Sequence, residues 1–214
     1  NARGESPGLS EDELAFYAKD AYDIQYLFPM GWQELEGVHN RTDYDLSQHQ
    51  EFSGKDQTYL DPVTNERYIP YVVETSAGLT RNVLMVLSDA YEEETLEDGE
   101  TRTVLRFHPN VAPVTVAVLP LVKKDGIAEV AKELELSLRE EFTTFFDLSG
   151  AIGRRYRRMD EIGTPYCITV DYQSLDDRTV TLRYRDSMEQ VRIGMDEIVS
   201  AIKEANKNYK RVEK

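Results

Sequence analysis

A chain of 214 residues with 40% hydrophobic side chains is long enough for one large domain or two small ones, each with a core. No run of about 18 apolar residues occurs, which excludes a membrane-spanning helix, and the polar start (residues 1–8) lacks the apolar stretch of a secretory signal. The formal charge of −15 argues against nucleic acid until it is divided: residues 1–112 hold 8 Lys and Arg against 22 Asp and Glu, residues 113–214 hold 17 against 18.

That asymmetry suggests two regions with different tasks. The first residue is Asn1 rather than Met, which reads as a cut piece or a tag scar. The single Cys167 has no partner for an internal disulfide, and its apolar surroundings suggest a buried thiol in a reducing compartment. His39, His49 and His108 are scattered and lack a cysteine cluster, so the spacing does not suggest structural zinc.

In chain order, residues 11–22 predict a short amphipathic helix with Leu14, Tyr17, Ala18 and Ala21 on one face, opened by a capping box of Ser10 and Glu13. Residues 32–39 predict a strand, 43–51 a polar irregular segment or short helix, and 68–74 a strand rich in β-branched and aromatic side chains. The two strands fit as antiparallel neighbours, linked through turn chemistry at residues 61–65. Residues 79–91 take helical spacing, and the acidic run 92–100 reads as a solvated loop. Pro109 and Pro113 favour an extended linker, which sets the boundary between regions 1–112 and 113–214.

Beyond it the pattern alternates. Strands are expected at 114–121, 145–147, 166–171, 179–185 and 189–193, and helices at 126–142, 152–162 and 196–206. The apolar run at 114–121 suggests a strand buried on both faces. The order β-α-β-α-β-β-β-α predicts an α/β domain with helices packed on a mixed sheet.

Three stretches carry possible chemistry. Glu74, Ser76, Gly78 and Arg81 lie where a strand gives way to a helix, whose N-terminus offers free N–H groups and a positive dipole end. Glu74 and Ser76 alternate with Thr75 and so point the same way; Gly78 permits close backbone approach, and Arg81 can fork onto a phosphate. Ser76 as a helix cap, with Arg81 as a surface charge, explains the same residues. The second stretch runs from residue 28 to 38. If its strand lies beside 68–74, Glu34 and Glu74 face one pocket suited to an amine or Mg²⁺; Arg41, Asp43 and Asp45 equally suit a structural ion-pair network. The third is Arg154, Arg155, Tyr156, Arg157 and Arg158, a phosphate-binding and base-stacking candidate whose alternative is a solvated helix paired with Asp160 and Glu161.

Several motifs in order resemble the dimeric, eukaryote-like class II glycyl-tRNA synthetase family. A-F-Y-A-K-D-A-Y-D-I-Q-Y-L-F-P-M-G-W-Q-E-L-E-G-V-H-N-R-T-D-Y-D-L-S-Q-H resembles its catalytic stretch before motif 3, and Y-V-V-E-T-S-A-G-L-T-R-N-V-L resembles motif 3. H-P-N-V-A-P-V-T-V-A-V-L-P-L resembles the join to the anticodon-binding domain, and I-G-R-R-Y-R-R-M-D-E-I-G-T-P-Y-C-I-T-V-D that domain's signature. The resemblance covers about residues 13–205. It implies the end of an antiparallel class II catalytic sheet (α+β), followed by a mixed-sheet α/β anticodon-binding domain.

It further implies that Arg81 contacts the ATP γ-phosphate, Glu74 binds the glycine ammonium, Ser76 crowds the glycine Cα against larger amino acids, and Glu34 lies near ATP and its Mg²⁺. The implied reaction joins glycine to ATP as glycyl-adenylate and passes the glycyl group to tRNA(Gly). A cytoplasmic homodimer with no membrane association is implied for the full-length enzyme. For RNA contact the resemblance points to the second domain, at Arg154–Arg158 and the strand around Arg183. Motifs 1 and 2 of the family are missing, so the chain alone is expected not to activate glycine. The competing reading is a non-catalytic synthetase-like nucleic-acid-binding protein, which has no reason to keep Glu34, Glu74, Ser76 and Arg81 together. No phosphate-loop or nucleophile motif supports an unrelated small-molecule enzyme.

Overall fold

The computed structural model describes residues 4–5 and 18–211. It divides into two compact units, Asn1–Ser88 and Asp89–Lys214.

The first unit is built on a four-stranded antiparallel sheet. Its strands are β1 (Gly4–Glu5), β2 (Asp20–Phe28), β3 (Gly31–Asn40) and, after α1 (Tyr44–Ser53) and the small ribbon of β4 (Tyr59–Leu60) with β5 (Arg67–Tyr68), β6 (Val73–Ala77). The order is β1-β2-β3-β6, so β6 is an edge strand. It runs through Gly78 into α2 (Leu79–Ala90). A tight turn joins β2 to β3, closed by Gly31 at φ +108°, a backbone region that favours glycine. The register slips along this hairpin: Ile24 faces Glu36 but Gln25 faces Glu34, leaving Leu35 as the extra residue of a bulge.

Two expectations change in this unit. Most of the helix expected over 11–22 lies outside the described residues, and its end, Asp20–Tyr22, is strand. The strand expected at 68–74 breaks at Pro70, which has no N–H for a ladder. Tyr68 pairs in the ribbon with Tyr59, and the strand beside β3 starts only at Val73.

The second unit opens with a hairpin, β7 (Tyr91–Thr95) and β8 (Thr101–Leu105). The alternating domain follows: β9 (Val116–Pro120), α3 (Ile127–Leu138), β10 (Thr144–Phe146), α4 (Ile152–Ile162), β11 (Tyr166–Val170), α5 (Tyr172–Asp177), β12 (Thr179–Tyr184), β13 (Gln190–Gly194) and α6 (Ile198–Lys207). The sheet order is β10-β9-β11-β12-β13; β10 and β11 run parallel to β9, and β12 and β13 are antiparallel to their neighbours. All five residues of β9 are buried, as its unbroken apolar run requires of a strand covered on both faces. On one face Val116, Val118, Ile168 and Leu182 meet Ile127, Ala131, Leu134 and Leu138 of α3 and Ile198 and Ile202 of α6. On the other, Ala117, Leu119 and Cys167 meet Met159 of α4. The result is a three-layer α/β/α domain. Burial pushes the Cys167 thiol up to about 12, so it is an inert core group. The helix α5 was not anticipated; Asp171 caps it reciprocally with Ser174.

The acidic run is corrected from loop to structure. Glu92 and Glu94 point inward from β7 because alternate strand residues share a face. There Glu94 accepts from Arg102 Nη1 (2.5 Å) and Arg106 Nη2 (2.7 Å), and Glu92 accepts from Arg106 Nε (2.7 Å). Arg106 also reaches Asp186 (3.1 Å), and Arg102 reaches Asp160 (2.9 Å) and the Arg185 carbonyl (2.6 Å). These bonds tie the hairpin to the α/β domain, so the compact units part at Ser88 and Asp89 rather than at residues 112 and 113.

Candidate active-site face and nucleic-acid interface

The β3–β6 register sets Gly37 opposite Ser76 and His39 opposite Glu74, so these four residues share one sheet face. By simple alternation Glu34 would project from the other face. The bulge at Leu35 reverses this: Glu34 pairs with Gln25, and Gln25 lies on the face of Asp23, whose partner is Gly37. Glu34, Glu74 and Ser76 therefore line the same face.

Gly37 is buried, and a Cβ there would stand 2.7 Å from His39 Cε1, so only glycine leaves room beneath the imidazole. Arg81, in the first turn of α2, donates through Nη1 to the Glu34 carbonyl at 2.6 Å and stands 4.0 Å from the Glu34 carboxylate. Gly78, just ahead of the helix, accepts from Asn82 Nδ2 at 3.0 Å. No hydrogen bond from Ser76 caps α2 among the described residues.

Arg41 supplies what the sequence showed only as a possible ion-pair network. Its Nη1 donates to Glu74 Oε2 at 2.6 Å, while Nε and Nη2 grip the two Asp45 oxygens at 2.5 and 3.0 Å. Hydrogen bonds to Asp45 and Glu74 raise the arginine above its ordinary range, and the bond from Arg41 holds Asp45 below its own. Arg41 thus fixes one Glu74 oxygen, and Asp45 fixes Arg41. The spacing R-x-D-x-D was the available signal; that its first member would reach Glu74, 33 residues on, was not readable locally.

The face offers two carboxylates, a hydroxyl and a guanidinium. That set can receive a small ammonium-bearing ligand beside a phosphate. Among the described residues, no group of three or more His, Cys, Asp or Glu side chains is arranged to hold a metal ion. A single carboxylate such as Glu34 still suits Mg²⁺ carried on substrate phosphates, a cation that keeps most of its waters.

In α4 the arginines divide. Arg154 is exposed and makes no hydrogen bond or ion pair among the described residues. Arg157 is half-exposed and pairs with Glu100 of the β7–β8 loop. Arg158 pairs with Asp147 and donates to the Ser149 carbonyl at 2.6 Å. Arg155, Tyr156 and Arg183 are corrected as RNA contacts. Arg155 is 3% exposed and spends its guanidinium on the carbonyls of Pro120 (2.6 Å), Asp147 (3.1 Å) and Leu121 (3.3 Å). Arg183 is buried and binds both oxygens of Asp160, at 2.8 and 3.0 Å. Tyr156 lies under the Arg183 guanidinium, 4.9 Å from its ring centre, and its hydroxyl bonds Thr169 at 2.5 Å. Asp160, expected to pair within the helix, is instead shared by Arg102 and Arg183.

The α/β domain belongs to a known class: residues 115–205 match the family described as an anticodon binding domain. The chain as a whole belongs to the glycine–tRNA ligase family. It is 66% identical over 206 residues to the glycine–tRNA ligase of Treponema denticola, covering 94% of this chain and 46% of that protein. It is 57% identical over 203 residues to that of Borrelia hermsii (94% and 46%) and 56% identical over 195 to that of Clostridium tetani (91% and 42%). The chain spans about half the length of these curated relatives, their C-terminal part.

Proposed function

We propose that this chain is the motif 3 and anticodon-binding part of a glycine–tRNA ligase, which forms glycyl-adenylate from glycine and ATP and transfers glycine to tRNA(Gly). The observation that carries the reading is one sheet face holding Glu34, Glu74 and Ser76, with Arg81 bonded at Glu34. The catalytic reading is preferred to a non-catalytic one because these four groups are kept together and the relatives carry the ligase name.

In this account Glu74, aimed by Arg41, receives the glycine ammonium. Ser76 crowds the glycine Cα, so that a side chain on the substrate meets the hydroxyl. Arg81 neutralises the ATP γ-phosphate, and Gly78 lets the backbone come close to the nucleotide. Positioning and electrostatics at the α-phosphate do most of the work. Mg²⁺ bound with ATP supplies further charge neutralisation there, with Glu34 the residue to hold it. Arg154, Arg157 and Arg158 meet the tRNA backbone near the anticodon. The complete enzyme acts as a homodimer in the cytoplasm, and this chain alone does not activate glycine.

The test uses a fusion of residues 1–214 to the part of the Treponema denticola relative that precedes the matched region. Glu74→Gln and Arg81→Ala in that fusion are each expected to lower glycine-dependent ATP–pyrophosphate exchange by about 10²- to 10³-fold, with tRNA(Gly) affinity unchanged. Exchange at the parent rate in both variants would sink the assignment, as would exchange by the isolated chain.

A further inference from the structure

The first unit has an amphipathic helix turned the wrong way for a complete domain. Leu79 is 80% exposed, Val83 53%, Leu84 42% and Leu87 41%, a stripe at helical spacing along α2. Beside it, β6 is hydrogen-bonded to β3 on one side only, and its Val73 is 68% exposed. The unit has little else to bury: among its described residues the buried hydrophobics are Ala21, Tyr26 and Phe28. Both buried hydrophobic clusters lie in the second unit. Stable domains cover a sheet with a second layer, and an apolar stripe of this length marks a contact surface.

We infer that the α2 stripe and the open edge of β6 form the docking surface for the polypeptide that the glycine–tRNA ligase relatives carry ahead of the region matched here. The inference rests on the functional reading above. Three observations select this occupant. The relatives are about twice as long as the matched stretch, so they hold a second body of chain of comparable size. A second copy of this chain is disfavoured by charge: residues 1–88 carry 6 Lys and Arg against 15 Asp and Glu, and two such units repel. Finally, Arg81 lies between Leu79 and Val83 and bonds Glu34, so whatever covers the stripe also borders the candidate site. The docked segment therefore buries the stripe and supplies the wall that the site lacks.

Hydrogen exchange of peptides covering residues 73–87 tests this, compared between the isolated chain and the fusion described above. Exchange at least roughly tenfold slower in the fusion supports the proposal. Val83→Asp/Leu87→Asp in the fusion should restore the fast exchange, Val83→Ala/Leu87→Ala should restore part of it, and neither should alter residues 116–202. Equal exchange in the two proteins overturns the proposal. So does an isolated chain that is already dimeric at micromolar concentration with α2 protected. Binding of tRNA(Gly) is read on the same samples: its absence beside protected α2 counts against the functional reading while supporting the surface.

Discussion

At the residue scale, Asp160 decides more than any exposed arginine. Its carboxylate is 2% exposed and receives Arg102 and Arg183, whose side chains are 3% and 6% exposed. Breaking such a set leaves buried charge uncompensated, so Asp160→Asn is expected to cost about 3–5 kcal/mol in urea unfolding of the chain. Arg154→Glu should stay within about 0.5 kcal/mol of the parent, because that side chain bonds nothing described here. Glu135 makes a pH-dependent contribution. Its burial pushes the carboxyl up, but Arg139, Lys132 and Thr144 outweigh this and hold it at about 2. The unfolded value is about 4.3, so this stabilisation is complete above that pH and is lost as pH falls towards 2. Thermal melts from pH 6 to pH 2.5 should show Glu135→Gln losing less stability with acid than the parent. These pairings were not legible in the sequence. Asp160 finds its partners 58 and 23 residues away, and no local pattern encodes that distance.

At the element scale, periodicity was a good guide wherever burial was one-sided or complete. It set α4 at 152–162 and the buried strands β9 and β11, because α4's stripe and the strands' apolar runs each had one solution. It failed at residues 92–100, where an acidic run looked solvated. Glu92 and Glu94 are inward-facing partners of arginines on the next strand, and charge counting sees composition, not facing. It also missed the bulge at Leu35, although that extra residue turns Glu34 to the face of Glu74. Gly163 shows how tightly the hairpin is joined to α4. It ends the helix at φ +80°, and an added Cβ would meet the Phe107 ring at 2.4 Å and the Leu105 carbonyl at 2.8 Å. Gly163→Ala is therefore expected to destabilise the second unit by about 2–4 kcal/mol by chemical denaturation, from strain and overlap together. A loss under 0.5 kcal/mol would mean that Phe107 is free to move aside.

At the scale of the whole molecule, the charge asymmetry has a structural counterpart that the boundary at residue 112 obscured. Moving it to Asp89 gives the second unit the acidic hairpin, whose Glu92, Glu94 and Glu100 neutralise Arg102, Arg106 and Arg157. The basic block of α4 is therefore smaller than its sequence suggests: one arginine is buried, two are paired, and Arg154 stands free among the described residues. RNA binding by this chain should accordingly be modest and salt-sensitive.

The most direct measurement is tRNA(Gly) binding by the isolated chain at about 50 mM and about 200 mM salt, beside Arg154→Glu/Arg157→Glu. Binding that weakens with salt and falls at least roughly tenfold in the double variant, with unfolding free energy unchanged, is the expected result. No binding at the lower salt, or equal binding by the double variant, would contradict the assignment of these arginines to the tRNA interface.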